Sequence, residues 1–108
     1  EALAFGYLKS LAALGAATLR ALGQQSPKIL VLGVGLGALP GWYSQHLHAT
    51  VHAVDLDAAV LRAYQEVLRS APPSAGGSLE VHCCDGAEFV ARSAQEGQRY
   101  DLVVLDVF

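Results

Sequence analysis

The chain has 108 residues, which is enough for one small domain. Seven basic and ten acidic residues give a net charge of −3 without a basic cluster, which argues against binding to a nucleic-acid backbone. The sequence lacks an initiator methionine and stops within an apolar run. We therefore expect it to be a single domain that is part of a longer one, with a leading helix over residues 1–25 and a core over residues 28–108.

An N-terminal helix is predicted over residues 1–22. Apolar and small side chains recur there at helical spacing: Tyr7, Leu11, Leu14 and Thr18, widened by Leu8, Leu19 and Leu22. Lys9 and Arg20 limit the uninterrupted apolar run to about half of the roughly 20 residues that span a membrane. We therefore expect a packed helix and no membrane insertion. Gly23 as the C-cap and Pro27 shortly after it end the helix.

The most informative stretch begins with a strand, Lys28 to Leu32, whose continuous apolar run is typical of a strand covered on both faces. Three alternating glycines follow, and Pro40 then suits the first turn of a helix through Trp42, Tyr43 and Leu47. A second strand, Val51 to Val54, ends in Asp55. The order of strand, glycine loop, helix, strand and acid predicts a nucleotide site.

The rest of the chain repeats this alternation. The predicted elements are a helix capped by Asp57 and running through Val60, Leu61, Tyr64, Val67 and Leu68, a loop over Ser70–Ser78, a strand over Leu79–Cys83, a helix over Ala87–Gln95 and a strand over Tyr100–Leu105. Right-handed crossovers arrange such a chain as an α/β, Rossmann-like doubly wound parallel sheet, here partial and of about four strands.

Ligands in such sheets bind at the carboxyl ends of the strands. These ends carry the glycine loop and the acids Asp55, Asp85 and Asp106. One acid at a strand end is often only a helix cap or turn former, but three beside a glycine loop favour a site. The loop also satisfies GxGxxA, so by itself it does not separate NAD from other adenosine ligands.

The segments VLGVGLG, HAVDLD, CCDGAEF and YDLVVLDVF together resemble the cofactor half of class I S-adenosylmethionine-dependent methyltransferases, more narrowly the spermidine synthase-like branch. The resemblance implies S-adenosyl-L-methionine as the cofactor. It places the methionine part and the ribose against the loop, the ribose hydroxyls on Asp55, the adenine face on Leu56 and the adenine amino group on Asp85, with the Gly86 amide nearby. Asp106 would lie near the reacting sulfonium and the incoming nucleophile as the catalytic residue. The residues of the loop are Gly33, Gly35 and Gly37.

Two departures bear on the reaction. Aminopropyltransferases have a glycine loop that resembles GGGDGG, and Leu36 stands here where the aspartate of that loop would be. They also carry further acids after the fourth strand, whereas Asp106 is followed here by Val107 and Phe108. We therefore favour methyl transfer to an unknown acceptor, a protein or a small molecule. The alternatives are a polyamine aminopropyltransferase, an NAD-binding oxidoreductase domain and a non-catalytic methyltransferase-like interaction domain.

The remaining candidates indicate little further chemistry. His46 and His48 lack a nearby third ligand for a metal. Cys83 and Cys84 are adjacent, point to opposite faces of a strand and are expected to be reduced thiols of a cytoplasmic protein. No nucleic acid or membrane partner is indicated, and an apolar edge over residues 102–108 would favour pairing of two copies as a homodimer.

Overall fold

Helices and strands alternate along the whole described chain. The computed structural model describes residues 6–23, 25–33, 38–70 and 77–105. In chain order the elements are α1 (Gly6–Ala21), β1 (Lys28–Leu32), α2 (Ala38–His46), β2 (Thr50–Asp55), α3 (Ala58–Ser70), β3 (Ser78–Cys83), α4 (Gly86–Gln95) and β4 (Leu102–Leu105). The α/β class and the predicted helices and strands are confirmed, with strand ends that differ by one or two residues, whereas residues 71–76 of the predicted loop lie outside the described residues.

The four described strands form one parallel sheet in the order β3-β2-β1-β4. Leu32 at the end of β1 lies opposite Val54 and Leu105, and Asp55 lies opposite Cys83. The chain first builds the sheet to one side of β1 and then returns to its other side with β4. This change of direction is a topological switch point, beside which ligands bind at the carboxyl ends of the strands.

One face of the sheet is covered by α1, α2 and α3. Side chains at odd-numbered positions of β1, β2 and β3 and at even-numbered positions of β4 point to this face, because successive residues of a strand alternate. Its buried residues are Leu19, Ile29, Val31, Tyr43, Val51 and Val104, and under α3 also Ala53, Leu61 and Tyr64. These side chains form the larger part of the core.

The other face is covered by α4. Leu30, Val54 and Phe89 are buried there, with Leu32, Cys84 and Tyr100 packed around them. The side chains of β4 on this face are half-exposed or more, at 52% for Val103 and 65% for Leu105. Fewer of the described side chains are therefore buried on this face than on the other.

The predicted apolar face of α1 is wrong in part. Leu14 and Leu22 are 66% and 62% exposed, and Thr18 is exposed as well, whereas Gly15 and Leu19 face the core. The cause is a close crossing: Gly15 lies against Tyr43, so the glycine side of the helix turns inward. The side chains of Tyr7, Leu8 and Leu11 lie outside the described part. None of the described helices is long and apolar enough to cross a membrane.

Helix α1 ends at the predicted glycine, but β4 begins later than predicted. Gly23 and Gly97 have φ values of +71° and +75°, the left-handed conformation that favours glycine after a helix. Before β4, the carboxylate Oδ2 of Asp101 accepts a hydrogen bond from the Lys28 amide at 2.8 Å. The Asp101 side chain thus accepts from the Lys28 amide at the start of β1, and regular pairing of β4 with β1 starts only at Leu102.

Candidate functional site

The carboxyl edge of the sheet brings the described candidate residues to one side of the molecule. Gly33 follows β1, Asp55 ends β2, and Asp85 comes two residues after β3. Because the strands are parallel and in register, these three positions belong to the same edge. Gly35, Gly37 and Asp106 lie outside the described residues, so their places at this edge stay predictions.

Gly33 starts the loop with a backbone that requires glycine. Its φ is +90°, a conformation that side-chain-bearing residues rarely adopt. Its amide donates a hydrogen bond to the Val54 carbonyl at 2.8 Å, which extends the contact between β1 and β2 by one residue. The glycine therefore ends β1 directly beside the end of β2.

The turn after β2 orients the Asp55 carboxylate. The Asp57 amide donates to Asp55 Oδ1 at 2.9 Å, and Asp57 Oδ1 in turn accepts from the Ala59 amide at 2.9 Å. Asp57 thus caps α3, as predicted. Leu56, between the two acids, is 72% exposed, and its carbonyl accepts from the Cys83 thiol at 3.6 Å. The turn presents one carboxylate and one apolar side chain at the carboxyl edge.

Asp85 is the N-cap of α4. Its side-chain Oδ2 accepts from the Glu88 amide at 3.3 Å, and its backbone is extended. This is the structural role that an acid at a strand end often has. A Cβ on Gly86 would approach Leu32 Cδ2 to 3.4 Å, an ordinary contact, so packing alone does not demand glycine there.

Two substitutions test the capping role of Asp85. Asp85→Ser retains a good N-cap without the carboxylate, so we expect the free energy of unfolding to change by less than about 0.5 kcal/mol. Asp85→Ala removes the cap and should lower it by about 1 kcal/mol. Urea unfolding measures both. Equal losses for the serine and alanine variants would contradict the cap assignment.

The histidines and cysteines noted in the sequence do not form a metal site within the described part of the chain. No group of three or more histidine, cysteine or acidic side chains there is placed to hold a metal ion. His46 stacks on Trp42 with ring centroids 5.1 Å apart. Cys83 and Cys84 are free thiols, and Cys84 packs on the α4 face. The two cysteines thus point to opposite sides, as predicted.

A polar cluster that the sequence analysis did not identify lies between the sheet and α4. His52 and His82 occupy even-numbered positions of β2 and β3, and their rings are 5.8 Å apart. Glu80, between them, has its oxygens 3.8 Å from His52 Nε2 and 3.3 Å from His82 Nε2. His82 Nε2 is buried without a hydrogen bond of good geometry in the described structure. The signal in the sequence is one histidine within the apolar run VHAV and a polar residue at each of two alternate positions of the next strand, LEVHC.

Comparisons with known proteins relate the chain to a methyltransferase. No family model matches the sequence. The chain is 33% identical over 82 residues to the eEF1A lysine and N-terminal methyltransferase of Bos taurus. This alignment covers 73% of the chain and 11% of the relative, so the chain corresponds to about a tenth of that protein's length. The fold, a partial Rossmann-like sheet, and this similarity both support a relationship to methyltransferases.

Proposed function

We propose that the chain is the cofactor-binding part of an S-adenosylmethionine-dependent methyltransferase of the spermidine synthase-like branch. The observation that carries the proposal is the placement of Gly33, Asp55 and Asp85 at the carboxyl edge of a parallel sheet beside its switch point. The identity of 33% with a methyltransferase supports it independently.

The geometry of the turn after β2 fits the sugar of an adenosyl group. Asp55 has one oxygen oriented by the Asp57 amide, so the carboxylate is held in place before any ligand binds. A carboxylate held in this way accepts two neighbouring ribose hydroxyls in a bidentate arrangement. The exposed Leu56 side chain is available to pack on the adenine ring. Asp85, before the start of α4, is assigned to the adenine amino group, with the Gly86 amide nearby.

The remaining roles concern the reacting end. When bound, the cofactor would supply an activated methyl group on its sulfonium. We assign the rest of the loop, Gly35 and Gly37, to the methionine part and Asp106 to the incoming nucleophile, which it would orient or deprotonate. The chain's contribution is to fix the reacting groups in line and to exclude water, effects that supply much of the barrier reduction in transfers between two bound groups.

We propose a protein amino group as the acceptor, because the bovine relative is by name a lysine and N-terminal methyltransferase. A cytoplasmic location fits such an acceptor and the two free thiols. The test is a methylation assay with labelled S-adenosylmethionine and protein substrates, run beside an aminopropyl-transfer assay with putrescine and the decarboxylated cofactor. Product in the second assay alone would replace methyl transfer by aminopropyl transfer.

Cofactor choice is tested separately from the acceptor. We expect S-adenosylhomocysteine to raise the thermal unfolding midpoint of the protein in a concentration-dependent way, since a ligand that binds the folded state stabilises it. NADH at the same concentrations should leave the midpoint unchanged. Stabilisation by NADH and not by S-adenosylhomocysteine would overturn the proposal in favour of a dinucleotide-binding domain.

A further inference from the structure

The turn after β2 is tied to the end of β3 at two consecutive carbonyl groups. The Asp55 carbonyl accepts from the Cys84 amide at 3.1 Å. The next carbonyl, that of Leu56, accepts from the Cys83 thiol at 3.6 Å. The first bond needs only a backbone amide, which any residue except proline supplies. The second needs a donor in the side chain of residue 83, so the sequence at this position matters for the turn.

The register of the sheet brings this thiol to the turn. Cys83 is the last residue of β3 and lies opposite Asp55. Its side chain points to the face of the sheet that α3 covers, where the turn leads, whereas Cys84 packs on the α4 face. Cys83 is exposed, so it adds little to the buried core. Its described contact is therefore with the backbone of the turn.

One peptide group joins the thiol to the Asp55 carboxylate. The carbonyl of Leu56 and the amide of Asp57 belong to the same peptide unit, which is planar and trans. Its carbonyl accepts from the Cys83 thiol, and its amide donates to Asp55 Oδ1 at 2.9 Å. A rotation that takes the carbonyl away from the thiol therefore also takes the amide away from the carboxylate.

Packing gives this peptide plane little support. The Leu56 side chain is 72% exposed. The Asp57 side chain is engaged with the start of α3 through the Ala59 amide. That bond fixes the far side of the turn, but a peptide plane can still rotate between two fixed Cα atoms, because the flanking dihedrals are soft. The orientation of the plane thus depends chiefly on the hydrogen bonds at its two ends.

We propose that Cys83 is a positioning residue for the ribose contact: its thiol orients the peptide between Leu56 and Asp57, and that peptide holds the Asp55 carboxylate toward the ligand. The inference rests on the proposed function, in which Asp55 binds the ribose hydroxyls. A bidentate contact with two hydroxyls requires an aligned carboxylate. Loss of the thiol should therefore weaken the contact with the ribose without removing any group that touches the ligand.

Hydrogen exchange of the protein without ligand tests the backbone part of the proposal. In Cys83→Ala, which is expected to fold because residue 83 is exposed, the Asp57 amide should exchange about fivefold faster. This is the size expected for the loss of one net hydrogen bond. The Ala59 amide should keep its rate and serves as the internal reference. An unchanged rate at Asp57 by NMR, or an equal increase at Ala59, would overturn the proposal.

A pair of ligands tests the effect on the ribose contact. S-adenosylhomocysteine and its 2′-deoxy analogue differ by one hydroxyl. In the parent protein we expect the analogue to bind about 30-fold more weakly, since a hydrogen bond to a charged group is lost. In Cys83→Ala this ratio should fall by about fivefold, because a misaligned carboxylate discriminates less. Isothermal titration calorimetry measures both affinities. General destabilisation would leave the ratio unchanged, and that result would contradict the positioning role.

Cys84→Ala is the matched control. It removes the adjacent thiol, on the α4 face, and retains the backbone amide that binds the Asp55 carbonyl. Its exchange rates and its ligand ratio should match those of the parent protein, and equal effects in Cys83→Ala and Cys84→Ala would contradict the proposal. If neither ligand binds to the parent protein, the proposed function fails, while the exchange experiment still decides whether the Cys83 thiol holds the peptide.

Discussion

Gly15→Val is expected to lower the free energy of unfolding by about 3 kcal/mol, the upper range for overpacking a core. A Cβ at residue 15 would lie 2.1 Å from the Tyr43 hydroxyl and 2.9 Å from Leu102 Cδ2. Tyr43 is fully buried between α1 and the sheet, so its ring has no free space to move into. For a domain of this size the loss corresponds to a fall of roughly 15 °C in the unfolding midpoint.

The matched control for this substitution is Ala17→Val on the exposed side of the same helix. It introduces the same β-branched residue, whose intrinsic helix penalty is at most about 0.7 kcal/mol. Urea unfolding of both variants measures the difference. Similar losses for the two would mean that α1 does not approach α2 as closely as the structure shows.

A double-mutant cycle identifies the atom responsible. Tyr43→Phe removes the hydroxyl that lies nearest to the Gly15 position. Gly15→Ala should therefore be less destabilising in the Tyr43→Phe background than in the parent protein, because neighbouring residues that clash are not additive. Additive effects would place the cost of the substitution elsewhere in the helix.

The close crossing at Gly15 also explains why the sequence predicts α1 less well than the strands. The helix is rich in alanine and leucine on several sides, so its apolar pattern fits more than one inward face. Glycine has a low helix propensity, yet in α1 the glycine determines which face of the helix packs against the core. Its partner Tyr43 is 28 positions later in the chain, and a local pattern contains no information about that contact.

The strands are predicted closely for the opposite reason. Continuous apolar runs define β1 and β2 to within one residue, because both strands are buried on both faces. β3 is predicted equally closely, although its side chains are half-buried or exposed at the edge of the described sheet. The parallel order then follows from the crossover rules, and it brings Gly33, Asp55 and Asp85 to one edge. The candidate site was therefore predictable as a consequence of topology.

The hydrogen bond of His52 was not predictable in that way. His52 is a single polar residue within an apolar strand, so the apolar pattern gives no sign of a polar contact there. Its partner Tyr100 is 48 positions away in the chain. Such contacts arise from tertiary structure between elements, and only the packed arrangement of the chain defines them.

Asp55→Asn is expected to weaken S-adenosylhomocysteine binding by at least about 100-fold, given that hydrogen bonds to charged groups contribute about 1.5–3 kcal/mol each and that two ribose hydroxyls are involved. Asparagine keeps an oxygen that can accept from the Asp57 amide, so the turn after β2 should persist. The change removes the negative charge and one of the two acceptors. Isothermal titration calorimetry at neutral pH measures the loss.

Asp57→Ala provides the control, since it removes an acid from the same turn. The Asp57 side chain caps α3 through the Ala59 amide, whereas the contact with Asp55 uses the Asp57 backbone. We therefore expect a loss of about 1 kcal/mol in stability and a change in affinity of less than about threefold, well under 1 kcal/mol. Equal affinity losses in Asp55→Asn and Asp57→Ala would show a disturbed turn rather than a lost ligand contact. An unchanged affinity in Asp55→Asn would overturn the assignment of the ribose to Asp55, because the lost charge and the lost acceptor would then make no contact with the ligand.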